Sequence, residues 1–142
     1  MINDLYNTAI LTLAAGIPHI GKLDNPAGSA TKTAKLCGSR VTVELCLDDN
    51  DCVCQFAQQV KACALGQAAA AILGANVMGA SIEELEQARD GLWAMLQTGV
   101  VMPAGRFAAL EKLAGVAAFS QRHSSTCLAF DAVVEAAHEA RS

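Results

Sequence analysis

Six cysteines and three histidines are the residues of this chain best equipped for chemistry, and two of the cysteines stand where a thiolate is favoured. Cys37 begins the run Cys37-Gly38-Ser39-Arg40 ahead of an alternating apolar stretch, with Lys35 and Arg40 as near neighbours. Nearby positive charge lowers a thiol's pKa, and the thiolate is the form that attacks sulfur or binds a soft metal. Cys63 follows Lys61 and precedes an alanine-rich helical segment. Its sulfur is expected at a helix N-terminus, where unpaired N–H groups and the helix dipole also stabilise negative charge. The competing reading of either residue is a small buried hydrophobe, a common fate of free cysteine.

The remaining thiols carry weaker signals. Cys54 shares a strand face with Phe56 and reads as core, Cys46 faces away from Val43 and Leu45, and Cys52 lies in or beside a turn. Cys52-x-Cys54 is not a zinc-knuckle spacing, so these three read as structural. Ser124 and Ser125 neighbour His123, but no Gly-x-Ser-x-Gly and no acidic orienter accompanies them. Hydrolase chemistry is therefore not expected, and the chain does not read as an enzyme.

The elements that must position the two thiols follow from periodicity. Ile2, Leu5, Tyr6, Ala9 and Leu13 repeat at helical spacing, and that helix stops near Gly16 and Pro18. A short strand is expected in the region of Thr31 to Leu36, a second over Arg40 to Leu47, and a third over "CVCQFAQQV" after the turn "DDND". Everything after Cys63 reads helical, the alanine-rich helix ending around Met78 or Gly79. Ser81-Ile82-Glu83-Glu84 is a capping box opening a helix with Ile82, Leu85, Ala88, Leu92 and Leu96 on one face. A short helix over "RFAALEKLAG" follows, and a last one starts after "RHSS". This is an α+β layout, a small three-stranded antiparallel sheet with about five helices packed against it.

At 142 residues the chain is expected to make a single domain, 1–142, with a core large enough to need no covalent staples. A net charge of −4 and a pI near 5.2 argue against nucleic acid as a partner. The opening "MINDLYNTAILTLAAG" has an aspartate where a secretory signal needs positive charge, so a reducing, cytoplasmic setting is expected. Residues 62–82 carry no charge but are mostly alanine and glycine with Gln67 and Asn76, which fits a buried helix better than a membrane span.

Four stretches in order give the chain a family likeness. Pro18-His19-Ile20-Gly21 is similar to an Asn-Pro-x-Asn-x-Gly loop, and Cys37-Gly38-Ser39 to a Cys-Gly-Asp turn before a strand. Ala62-Cys63-Ala64-Leu65-Gly66-Gln67-Ala68-Ala69 is similar to a helix start Gly-Cys-Ala-Ile-Ser-Gln-Ala-Ser. The run from Arg122 through Leu128-Ala129-Phe130-Asp131-Ala132-Val133 is similar to Arg-x-x-Cys-x-x-Leu-Ala-Trp-x-Ala-Leu. In these features the chain resembles the NifU-like, IscU-type iron–sulfur cluster assembly scaffolds over most of its length.

The resemblance implies a scaffold or carrier that holds an iron–sulfur cluster or iron on three cysteines and an aspartate. It implies a cysteine desulfurase as the persulfide donor and iron–sulfur acceptor proteins as clients, without nucleic acid or membrane. Cys37 and Cys63 match two of the family's cysteines, while Ser39 stands at the aspartate and Ser125 at the third cysteine. Cys127 lies two residues further on, a rotation of about 200° on a helix. His123 is then the nearest replacement ligand, and Lys35, Arg40 and Arg122 would offset the charge of a thiolate-bound centre. With two thiolates the cluster would be labile, shared between two copies, or completed by a partner; zinc could occupy the same thiols in purified protein. Two other readings stay open, a persulfide acceptor without metal and an adaptor that has lost the chemistry. His19 and His138 have no partners visible in the sequence.

Overall fold

Alternating apolar residues in 41–47 and 53–60 build a sheet with one face toward the core and one toward solvent. The computed structural model describes residues 6–100 and 103–142. Three antiparallel strands, β1 (Gly28–Thr33), β2 (Arg40–Leu47) and β3 (Val53–Lys61), lie in the order β1-β2-β3. Val41 pairs with Val60, Val43 with Gln58 and Leu45 with Phe56, so one face of the sheet is apolar apart from Gln58. The other face carries the pairs Arg40–Lys61, Thr42–Gln59 and Glu44–Ala57. Gln58 is accommodated because its amide donates to the carbonyls of Pro18 and Ala70.

Five helices lie on the apolar side of the sheet. They are α1 (Thr8–Ala15), α2 (Ala64–Asn76), α3 (Ile82–Thr98), a 3-10 segment (Gly105–Ala118) kinked at Phe107, and α4 (His123–Arg141). α4 and part of α2 lie against the strands, and the rest pack on those two. A single 3-10 turn, Ser120–Arg122, leads into α4. α4 lies across β1 and β2 and also touches α2 and α3, which makes it the hub of the core. Phe130 is fully buried on α4 and meets Phe107 edge-on at 5.5 Å between ring centroids. Each large apolar side chain sealed in this way stabilises the fold by about 1.5–3 kcal/mol. The α+β layout is the one expected, with a three-stranded antiparallel sheet and five helices.

The capping box forms as read: the Ser81 hydroxyl accepts from the Glu84 N–H, and the Glu84 carboxylate accepts from the Ser81 N–H. Ile82, Leu85, Ala88, Leu92 and Leu96 are the buried face of α3, joined by Met95. No helix among the described residues is long and apolar enough to cross a membrane.

Four local expectations are corrected. β1 ends at Thr33 rather than Leu36, because Ala34 N–H bonds the Ser39 carbonyl and closes residues 34–39 into a loop. Leu36, apolar enough to look like strand, projects from that loop almost fully exposed. On α1 the buried residue is Ile10 and Ala9 is exposed, while the expected positions Ile2 and Leu5 lie outside the described residues. The third correction concerns Cys54, which is exposed and not core. Pairing passes from Cys46–Gln55 to Leu47–Val53, leaving Cys54 as an extra, bulged residue that breaks the alternation. The fourth is the start of α4, at His123 and not after Ser125, which places Ser125 in the first turn.

Candidate functional site

Cys37 is presented by the loop between β1 and β2. Two backbone bonds shape it, Ala34 N–H to the Ser39 carbonyl at 2.8 Å and Gly38 N–H to the Ala34 carbonyl at 2.9 Å. Gly38 turns the chain in the left-handed region at φ 73°, a conformation that costs other residues about 1 kcal/mol. The result is an exposed thiol on a loop whose next side chain, Ser39, is buried. The Ser39 hydroxyl lies 3.0 Å from the Cys37 sulfur.

Cys63 caps the N-terminus of α2 with extended backbone angles, and its sulfur makes no capping bond. It is half-buried, and its carbonyl accepts from Gln67 N–H as the first turn begins. The sulfur points toward α4, 3.8 Å from the hydroxyl of Ser125. Gly66 makes this approach possible. A Cβ at residue 66 would lie 2.9 Å from the Ser125 carbonyl oxygen, so only glycine lets the first turns of α2 and α4 pack this closely.

Ser125 is the buried hinge of the arrangement. Its hydroxyl donates to the Arg122 carbonyl at 3.1 Å and lies near enough to Cys37 to lower that thiol's pKa slightly. Cys37, Ser39, Cys63 and Ser125, from three separate elements, therefore meet at one end of the sheet. The Cys37 pKa is lowered, chiefly by the Ser39 hydroxyl and then by the Ser39 N–H, which together outweigh the opposing effect of desolvation; Ser125 adds a smaller lowering. A carboxylate at residue 39 would repel a thiolate; a neutral hydroxyl donates to it instead. The cluster thus favours the anion of Cys37 at a solvent-facing position.

The other sequence candidates sit differently. Cys127 is completely buried on α4, and burial, reinforced by the Asp131 charge, drives its pKa far upward, so it stays a thiol. The His123 Nε2 lies 3.1 and 3.2 Å from the carbonyls of Val116 and Ala117, which commits that nitrogen to the 3-10 segment. Among the described residues no group of three or more His, Cys, Asp or Glu side chains is gathered for a metal ion. Lys35 and Arg40 are exposed beside the loop, and Arg40 faces Lys61 directly across the β2–β3 ladder. Like charges so opposed are locally unfavourable and leave the rim of the site positive. Arg122 contributes its carbonyl, which accepts from both Ser125 and Thr126.

The two remaining histidines have partners that sequence reading missed. His19 stacks edge-on against Phe56 at 5.8 Å, and its carbonyl accepts from Gln58 N–H along the free edge of β3. His138 lies between Glu86 and Arg141 at 2.9 and 3.2 Å. Gly66 was also missed as a determinant of the site; its only signal was a glycine three residues after the helix-capping cysteine.

No protein-family model matches the chain, and no curated protein matches it. Solved structures do. The chain is 44% identical to a nitrogen-fixing NifU-like protein (N-terminal) from Brucella abortus, covering 99% of this chain and 96% of that one, with a TM-score of 0.94. A proposed iron–sulfur cluster assembly scaffold protein for the SUF system from the thermophile Fervidobacterium islandicum AW-1 shares the fold at 17% identity, with coverage of 95% and 98% and a TM-score of 0.86. A hypothetical protein solved at 2.3 Å resolution is 26% identical, with coverage of 96% and 98% and a TM-score of 0.79.

Proposed function

The chain belongs to the NifU-like family, and on that premise we propose that it is an iron–sulfur cluster assembly scaffold or carrier whose cargo is held by Cys37 and Cys63. The observation that carries this reading is the convergence of both thiols on the Ser125 hydroxyl. Thiolate is the form that binds iron, the Ser39 hydroxyl can donate to the Cys37 sulfur, and Ser125 lines the site, neither adding charge. Lys35, Arg40 and Arg122 offset the charge of the loaded centre.

Two thiolates leave the coordination of iron incomplete. The remaining positions are filled by a second copy of the chain, by a client protein or by a small thiol, which makes the cargo easy to pass on. Sulfur arrives from a cysteine desulfurase as a persulfide, iron–sulfur acceptor proteins take the product, and the work is done in the cytoplasm without the protein itself turning over substrate. Zinc, which also prefers thiolates, would bind the same pair in purified protein.

The test is anaerobic reconstitution with iron and sulfide, reading sulfur-to-iron charge-transfer absorption. Colour in the native chain that disappears in both Cys37→Ala and Cys63→Ala is the expected result. A colourless native chain, or colour that survives either substitution, overturns the proposal. If the colourless chain instead gains one sulfur on Cys37 from a desulfurase, it is a sulfur acceptor.

A further inference from the structure

A second thiol pair lies at the opposite end of the β2–β3 hairpin. Running back along β3, Val60, Gln58 and Phe56 face the core, and strict alternation would put Cys54 beside them. The bulge prevents this: Val53 takes the inward position and Cys54 turns out to solvent next to Gln55. Bulges are devices that re-aim a side chain, and here the side chain is a thiol. Cys46, the residue paired with Gln55, is on that same outer face.

The two cysteines are in contact. The Cys54 sulfur lies 3.5 Å from the Cys46 carbonyl, and the Cys46 thiol donates to the Asn25 carbonyl at 3.3 Å. In a bulge two residues of one strand oppose one residue of the other, so Cys54 sits with Gln55 against Cys46, close enough for the Cα separation of roughly 4.4–6.8 Å that a disulfide spans. Cys46 also lines an open hollow of about 440 Å³ with Lys22, Leu23, Asp24, Asn25 and Gln55, which gives a small reagent access. Cys52 is aimed elsewhere, its sulfur 3.7 Å from the Asn50 carbonyl in the turn. Cys46 is six positions along β2 from Arg40, about 20 Å at strand rise, so this pair is distinct from Cys37 and Cys63.

We propose that Cys46 and Cys54 are a redox-active dithiol that closes to an intrachain disulfide by exchange with a low-molecular-weight disulfide such as oxidised glutathione. The exposed Cys54 thiolate attacks one sulfur of the reagent, forming a mixed disulfide and releasing one small thiolate. The Cys46 thiolate then attacks the Cys54 sulfur and releases the second. Two protein thiols are oxidised, one small disulfide is reduced to two thiols, and the two protein protons end on those leaving groups. The closed form staples the hairpin tip and leaves Cys37 and Cys63 untouched.

Peptide mapping tests this on the full reduced chain exposed to oxidised glutathione and then alkylated. Cleavage after Lys and Arg and before Asp yields a peptide 41–47 with Cys46 alone and a peptide 51–61 with Cys52 and Cys54. The two are expected to appear linked, with the link kept in Cys52→Ser and lost in Cys46→Ser and Cys54→Ser. A link that survives Cys54→Ser, or peptide 41–47 recovered with Cys46 alkylated or glutathionylated in the native chain, overturns the proposal.

Discussion

The sulfur of Cys63 lies 3.8 Å from the hydroxyl of Ser125, although the two residues are 62 positions apart in the chain. One sits at the N-terminus of α2 and the other in the first turn of α4. That contact puts a hydroxyl where a third sulfur would complete a three-thiol pocket with Cys37. It also explains why a chain with six cysteines gathers only two of them at its site.

Ser125→Cys is expected to add a third thiolate at that point. The reconstituted variant should lose iron to a chelator more slowly than the native chain, by about tenfold or more, since even indirect partners of a metal change affinity 10–100-fold. Iron loss at an unchanged rate would show that residue 125 does not face the cargo.

Ser39→Ala removes the hydroxyl that does most to lower the Cys37 pKa. The sign is upward: with the donor gone the thiolate is less favoured, and less of it is present at neutral pH. Alkylation of Cys37 by iodoacetamide, followed against pH by mass spectrometry, should show its midpoint moved to higher pH. An unmoved midpoint would mean that the backbone N–H of residue 39 suffices.

Gly66→Ala sets two effects against each other. Alanine gains about 1 kcal/mol over glycine in a helix, but the new methyl would meet the Ser125 carbonyl at 2.9 Å. Overpacking against backbone costs about 1–3 kcal/mol, so the clash wins. Urea denaturation is expected to give a net loss of stability, accompanied by weaker colour on reconstitution because Cys63 and Ser125 are pushed apart. A stabilised variant would contradict the close packing of α2 on α4.

Asp131 accepts from the Trp93 indole at 2.9 Å, yet burial raises its pKa more than that bond and the charges of Arg89 and Lys32 lower it. Folded protein therefore binds this proton more tightly than unfolded protein. The resulting stability is full below the ordinary carboxylate range and is lost as pH rises through the raised value. Asp131→Asn keeps an acceptor for Trp93 without the buried charge. Its Tm at pH 7 should rise by a few degrees, the scale of about 1 kcal/mol, while the difference from the native chain vanishes in acid. A lower Tm at pH 7 would mean that attraction to Arg89 and Lys32 outweighs desolvation.

Much of the architecture was legible in short-range pattern. Alternation from Val41 to Leu47 marked β2 at its true limits, and Ser81 with Glu84 marked the start of α3. The same kind of reading failed wherever a distant backbone group intervened. Leu36 looked like strand until the Ala34–Ser39 bond closed the loop, and Ala9 looked buried where Ile10 is.

The sequence by itself determined the fold class, the two thiols with cationic neighbours and the helix that Cys63 caps, because each depends on residues within a few positions of one another. Only the tertiary structure decided that Ser125 joins those thiols, that Cys127 is sealed away and that Cys54 turns outward. Those outcomes hang on where α4 starts and on one unpaired residue in β3. Both are set by packing between segments far apart in the chain, for which no local periodicity exists to be read.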